Sequence, residues 1–380
     1  MDFSFSEEQN LLRDSVRKFV EKSYQWEKRK ALLESDTGFS LDNWRAFAEL
    51  GWTALPFSEA DGGIGGNAVD TMIVLEELGK GLVLEPYLSS VVFAGGILRR
   101  ADAAARAKHL PALINGEKIY TVAYSEPSSR FDLFHVETTA KAQGKDYLLT
   151  GKKLAVLAGN AADVLIVPAR TSGGPRDRNG ITLFAVDAKQ PGVQRVGYRT
   201  VDGLHAANIV LEGVKVTAAD IIGTVDQGLT LLEPAADETI IAMGAEAIGV
   251  MQVLVDSTVT YTKERKQFGV PISSFQVLQH RMVDMYVEKE LARSMVYMAT
   301  VAQDSSQGNA QSVAKAAAGL KVQLGRSGRL IGQAAIQNHG GMGMTDELAV
   351  SHFFKRMTMI DLTLGNADYH LDRYTKLSAI

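Results

Sequence analysis

The sequence predicts an α+β multidomain fold: an N-terminal helical domain over residues 1–115, a middle antiparallel β-barrel-like domain over 116–222, and a C-terminal four-helix bundle over 223–380. Three observations predict it. Apolar residues recur at helical spacing in the first and last thirds of the chain. Between them the pattern turns to short β-branched runs punctuated by Gly, Pro and Asn. The length of 380 residues, 46% hydrophobic and 22% charged, is enough for about two or three domains with buried cores.

Taken in order, Ser6 reads as a helix cap ahead of Glu7 and Glu8, followed by Leu11, Leu12, Val16, Phe19 and Val20 on one face. DNWRAFAELG (42–51) repeats the plan with Asp42 as cap and Gly51 as stop, and DTMIVLEELGKG (70–81) does so again. In the middle segment KIYTVAYS, HVETTAKAQ, DYLLTG, DVLIVPAR, ITLFAVD and ANIVLEGVKV read as strands, with GGPRDRNG (173–180) as a turn. The last segment reads as helices over 236–263, 276–303, 310–336 and about 346–363. The third is rich in Ala and Gly, which permits close helix approach.

Composition excludes several classes. A net charge of −4 argues against nucleic-acid binding by bulk positive charge. With no cysteine there is no disulfide, thiolate metal site or cysteine nucleophile. MDFSFSEEQN lacks a basic-then-apolar leader, so no signal peptide is expected and a cytoplasmic location is. The longest apolar run, 239–255, is shorter than the ~20 residues of a bilayer span and contains Glu246. It reads as a core helix, with no membrane span. DGGIGG (61–66) follows no strand and reads as a loop rather than a nucleotide fingerprint. The seven histidines have no metal-binding spacing, so no metal is expected, and no G-x-S-x-G elbow is present.

One stretch does not fit a plain interhelical turn. ERKQFGVPISSFQ (264–276) sets two cations, an aromatic, a glycine and a proline between two long helical patterns. Arg265 offers a fork of donors suited to a diphosphate, Phe268 a flat face for a ring system, and Gly269 room for a ligand to approach the backbone. The other reading is a solvated charged turn. AIQNHGGMG (335–343) puts a glutamine before a double glycine at another helix end, and AYSEP (123–127) closes the first clear strand.

With these three segments in this order, the chain resembles the acyl-CoA dehydrogenase flavoprotein family over nearly its whole length, and within it the pimeloyl-CoA dehydrogenase small subunits. LPFSEADGGIGG and the α-β-α order share in the resemblance, and YTKERKQFGVPISSFQ (261–276) is its most specific part. The resemblance implies FAD between the β domain and the bundle, reaching across a subunit interface. It assigns the adenine dinucleotide end of a neighbouring subunit's FAD to Arg265, Phe268, Gln337 and Gly341. It assigns the flavin ring to Tyr124 and Ser125, and an approach of the last helix to Asn366 and Asp368. It also implies α,β-desaturation of an acyl-CoA, with electron-transfer flavoprotein as the default acceptor.

The family's reaction needs a base for the α proton and donors for the thioester oxygen. The run that supplies the glutamate reads TLGN (363–366), with Leu364 at its place, although a backbone N–H survives there. The alternative position, at the start of the first bundle helix, is Thr239, followed by Ile240 where relatives carry an arginine. The strand that carries a flavin-guarding Trp and Thr in relatives reads GKKLAVLAG (151–159), and the turn after Glu-Pro reads SSRFD (128–132).

Three replacement bases come into question. Glu246 sits on nearly the same face as Thr239, ~10 Å along, in apolar surroundings that would raise its pKa. It also reads as a buried carboxylate paired with an arginine such as Arg281 or Arg293. Glu238 is turned ~100° around the helix and also reads as a capping-region acid, and Asp361 as a bundle polar residue. Two functions follow: a self-sufficient homo-oligomeric FAD enzyme with Glu246 as base, or the smaller subunit of an α2β2 acyl-CoA dehydrogenase whose larger subunit supplies the base.

Overall fold

The computed structural model describes residues 4–305 and 309–379. The N-terminal part contains α1 (Glu7–Ser23), α2 (Trp26–Leu33), α3 (Leu41–Glu49), α4 (Ala68–Lys80), a wide helical segment at Tyr87–Ala94 that runs on as α5 (Gly95–Leu98), and α6 (Ala103–Ile114). Ser6 caps α1 as expected, accepting from the Gln9 N–H at 3.2 Å while the Gln9 side chain returns a bond at 3.1 Å. Two expected caps are corrected. α3 is capped by Ser40, and Asp42 lies inside the first turn, paired with Arg45. α4 is capped by Asn67, and Asp70 is the reciprocal partner three residues on. In both cases a better-placed oxygen precedes the acid that looked like the cap.

The middle part is one eight-stranded sheet: β1 (Tyr120–Val122), β2 (Thr139–Gln143), β3 (Asp146–Leu157), β4 (Val164–Arg170), β5 (Ile181–Asp187), β6 (Val193–Arg199), β7 (His205–Thr217) and β8 (Ile221–Ile222). The order is β6-β7-β3-β2-β4-β5-β8, with β1 added beside β4. Pairing is antiparallel except for β1 and β2 against β4, which are parallel. β4 and β5 are buried residue after residue, so their sequences run apolar instead of alternating. Among the buried groups Lys153 holds Glu126 at 2.6 Å, and the Glu126 carboxylate also accepts the Glu137 and Thr138 N–H groups.

α7 (Leu229–Glu264) follows, then the two-stranded ribbon β9 (Lys266–Gln267) and β10 (Val270–Pro271). The rest is α8 (Gln276–Ser305), α9 (Ala310–His339), α10 (Ala349–Leu362) and α11 (Ala367–Ser378). α7 is long and apolar enough to cross a membrane by length and composition, but most of it is buried as the central core helix. It crosses α4 with backbone against backbone. A Cβ at Gly79 would meet the Glu246 carbonyl at 2.2 Å, and one at Gly249 the Glu76 carbonyl at 2.1 Å. α11 is a helix the sequence reading did not include, since its last helix ends at about 363. Asn366 caps it by accepting from the Tyr369 N–H, and Asp361 accepts the Ala367 N–H.

Candidate functional site

Apart from Glu246 at its middle, the residues singled out in the sequence fall into two clusters toward opposite ends of α7, a helix of 36 residues. At 1.5 Å per residue α7 is about 54 Å long.

At its C-terminal end the chain leaves α7 through the β9–β10 ribbon, whose Val270↔Gln267 register leaves Phe268 and Gly269 as a two-residue turn. Both have positive φ, 55° and 80°. This is the turn that suits a right-twisted hairpin, but it is normally built from Asn and Gly. Phenylalanine there is strained, and its ring is 92% exposed. Arg265 is exposed beside it and has no ion-pair partner among the described residues. Four residues before Arg265, Tyr261 stacks on His339 with centroids 4.4 Å apart. That contact brings the end of α9, with exposed Gln337 and Gly341, to the same end of the bundle. Arg265, Phe268, Gln337 and Gly341 are thus all exposed at this end of the bundle.

At the other end, the first turns of α7 line a cleft of about 1180 Å³ with α11, the start of α9 and the β-domain loops at 131–134, 178–179 and 226–227. Leu364, Tyr369 and His370 line it too. Leu364 is buried and has φ +58°, a left-handed conformation costly for leucine. Its carbonyl accepts from His370 Nε2 at 2.8 Å, which pins the turn. Burial pushes the His370 imidazole down to about 3, against the Leu364 carbonyl, which favours its charged form. The Leu364 N–H faces the Tyr124 hydroxyl, and burial pushes that phenol up to about 12. Tyr124 on the β domain and Leu364 on the bundle thus face each other across the seam, with Ser125 and Asn366 next to them along the chain. No carboxylate stands at Leu364, and Thr239 turns its hydroxyl back onto the Ala235 carbonyl at 2.6 Å.

The acids near the cleft are bound. Asp237 makes a bidentate pair with Arg373 at 2.5 and 2.8 Å. Glu233 accepts two bonds from Arg178 at 2.7 and 2.8 Å. Glu238 is clamped by Arg99 and Arg100 together. α7 is capped at Gly228, so Glu238 is not a capping-region acid. Glu246 does not line the cleft. It borders a separate cavity of about 60 Å³ beside His205 and Glu85. Its two oxygens accept from Arg356 at 2.6 and 2.8 Å, and Arg356 also reaches Asp202 at 2.8 Å. Burial alone would lower the Arg356 pKa, but the two carboxylates outweigh it and raise it above the usual arginine value. The arginine on Glu246 is thus Arg356, not Arg281 or Arg293; Arg293 pairs with Glu76 at 3.0 Å.

Sequence reasoning missed the Arg99–Glu238–Arg100 clamp, the Asp237–Arg373 pair and His370. Two adjacent arginines after an apolar helix were the one visible sign of the clamp.

Comparison with known proteins gives the same assignment along the chain. Residues 6–117, 121–214 and 226–376 match the N-terminal, middle and C-terminal domains of acyl-CoA dehydrogenase. The chain is 30% identical over 378 residues to a probable acyl-CoA dehydrogenase of Bacillus subtilis, YngJ, covering 97% of each. It is similar to the ChsE4-ChsE5 complex from Mycobacterium tuberculosis, with TM-score 0.88, 26% identity and coverage of 100% and 99%. It is also similar to PigA with FAD and proline, with TM-score 0.91, 25% identity and coverage of 100% and 99%. With its helical, β and helical domains in that order, the chain belongs to the acyl-CoA dehydrogenase family of FAD-dependent oxidoreductases.

Proposed function

We propose that this chain is the smaller subunit of a heteromeric acyl-CoA dehydrogenase, and that it grips the nucleotide half of an adjoining chain's FAD. The observation that carries this is the separation of the two clusters along α7. From Glu238 to Glu264 is 26 residues, or about 39 Å of helix. That is farther than one dinucleotide reaches, so a single flavin touching both kinds of cluster must lie between two chains. The exposed, strained Phe268 and unpaired Arg265 fit the flat ring and diphosphate of such a cofactor. Bound FAD would supply the hydride acceptor.

The cleft end of this chain supports a non-catalytic role. Leu364 offers no carboxylate, Tyr124 sits against its N–H, and Glu246 is held by Arg356 away from the cleft. A carboxylate with both oxygens on a buried guanidinium is a poor base, because protonating it breaks the pair. The larger subunit then supplies the base and the main acyl-CoA pocket, with an electron-transfer flavoprotein as acceptor. The ChsE4-ChsE5 neighbour, itself a complex, is consistent with such an assembly. The second reading, a self-sufficient homo-oligomer with Glu246 as base, requires the Arg356 pair to open.

Purifying the chain alone and with a candidate larger subunit separates the two. Flavin absorbance per chain and acyl-CoA-dependent bleaching are the readouts. The expected result is flavin retained, and bleached, only in the mixed complex. A lone chain that holds one flavin per monomer and bleaches, with Glu246→Gln abolishing the bleaching, would overturn the subunit assignment.

A further inference from the structure

The exposed residues beyond the C-terminus of α7 come from two different helices. Arg265 and Phe268 follow α7, whereas Gln337 lies in the last turn of α9 and Gly341 just past it. Helix ends fray unless something holds them. Two that fray separately cannot present a fixed spacing to one rigid ligand. Tyr261 is the residue that ties both. Its carbonyl accepts the Arg265 N–H at 2.8 Å, which closes the last turn of α7. The Arg265 carbonyl in turn accepts the Ile272 N–H at 2.8 Å and closes the base of the β9–β10 ribbon. The Tyr261 ring lies on the His339 ring, with centroids 4.4 Å apart and planes 28° apart.

His339 is the last residue of α9 and is buried. Its Nδ1 donates to the Ala335 carbonyl at 2.8 Å, one turn back, which holds the imidazole against its own helix. Burial lowers its pKa below the usual 6.5, so the imidazole enters the stack uncharged at neutral pH. Gly340 follows at φ 58° and ψ −141°, a conformation that suits glycine, and carries the chain to Gly341. The stack thus stands directly between the residue that holds Arg265 and the turn that presents Gln337 and Gly341. A packed ring pair is worth roughly twofold to tenfold in an equilibrium beyond the area it buries.

We propose that the Tyr261–His339 stack joins the two halves of the nucleotide grip, setting the spacing between Arg265 and Phe268 on one helix end and Gln337 and Gly341 on the other. Tyr261 and His339 are positioning residues, acting on the dinucleotide through the groups they hold in place. This rests on the reading of that end as the grip on an adjoining chain's FAD.

FAD release on dilution, followed by flavin fluorescence, tests it in the assembly that retains flavin, be that the lone chain or its complex with the larger subunit. Melting temperature is the control for folding. Tyr261→Ala should weaken FAD binding roughly threefold to tenfold, and Tyr261→Phe, which keeps a ring on His339, should stay within about twofold of the parent. Because the stack acts through Arg265, Tyr261→Ala should add less than about twofold to the loss that Arg265→Ala already causes. Parent-like FAD binding in a folded Tyr261→Ala protein, beside weakened binding in Arg265→Ala, would overturn the role of the stack and leave the grip standing. So would losses that multiply in the double variant, or a Tyr261→Phe loss as large as that of Tyr261→Ala. If Tyr261→Ala does not fold, His339→Leu removes the stack from its other side and is read in the same way. An Arg265→Ala protein that holds FAD as the parent does would overturn the grip itself, and the stack's role with it.

Discussion

At its beginning α7 is wedged among partners, and at its end it runs out into solvent. Around residues 237–246 every acid has an arginine: Asp237 has Arg373, Glu238 has Arg99 and Arg100, and Glu246 has Arg356. Around residues 264–270 the same chain leaves Arg265 without an ion-pair partner among the described residues and holds Phe268 at positive φ with its ring exposed. The first region has satisfied its charges internally and closed. The second has left a cation and an aromatic exposed, at a cost in backbone strain, which is the feature the proposed ligand site rests on.

The sharpest way to break this comparison is to cut a pair in the closed region. Glu246→Ala leaves Arg356 buried with Asp202 alone, and should lower unfolding free energy by about 3–5 kcal/mol in urea titration. A loss under about 1 kcal/mol would mean the pair is not what closes this region. Next in size is a cut in the open region. Arg265→Ala should leave thermal stability within about 0.5 kcal/mol of the parent and weaken flavin retention in the complex by roughly 10–100-fold. Loss of stability without loss of flavin would reverse the roles of the two ends.

A smaller, graded effect comes from acid. Burial holds His370 at about 3 and His109 at about 4, both below the ordinary histidine value of 6.5. The unfolded chain takes up these protons first, so stability should be complete above about pH 6.5 and fall as pH drops through the window down to about 3–4. Denaturant midpoints measured across that range, with His370→Gln flattening part of the slope, check it. The smallest effect is at the hairpin. Phe268→Asn suits positive φ better and should stabilise the chain by up to about 1 kcal/mol while weakening flavin retention. An unchanged or lowered melting temperature would show that the turn is not strained.

Much of the fold was legible in the sequence, for physical reasons that differ by region. The long bundle helices carry their 3.6-residue period over enough turns to be unmistakable. α11 was missed, the last expected helix ending at about 363, because it is short and largely polar, with His370 its buried residue. The true caps at Ser40 and Asn67 were passed over for acids two and three residues later, since either residue type can start a helix in isolation. The 264–276 segment stood out in the sequence because its residue types are odd for an interhelical turn. The clamp at Glu238 did not, because its arginines follow α5, more than a hundred positions earlier.

The sequence by itself determined what depends on neighbours along the chain: the helical and strand periods, the α-β-α order and the unusual ERKQFG segment. Tertiary structure alone decided which charges meet. Glu246 and Arg356 are 110 residues apart, and nothing local in either names the other. It alone set Tyr124 against the Leu364 N–H, and it alone sent the two site clusters to opposite ends of α7. The reason is that periodicity records which face of an element is buried, while partnership is fixed only when elements pack and each buried charge must find an opposite one within reach.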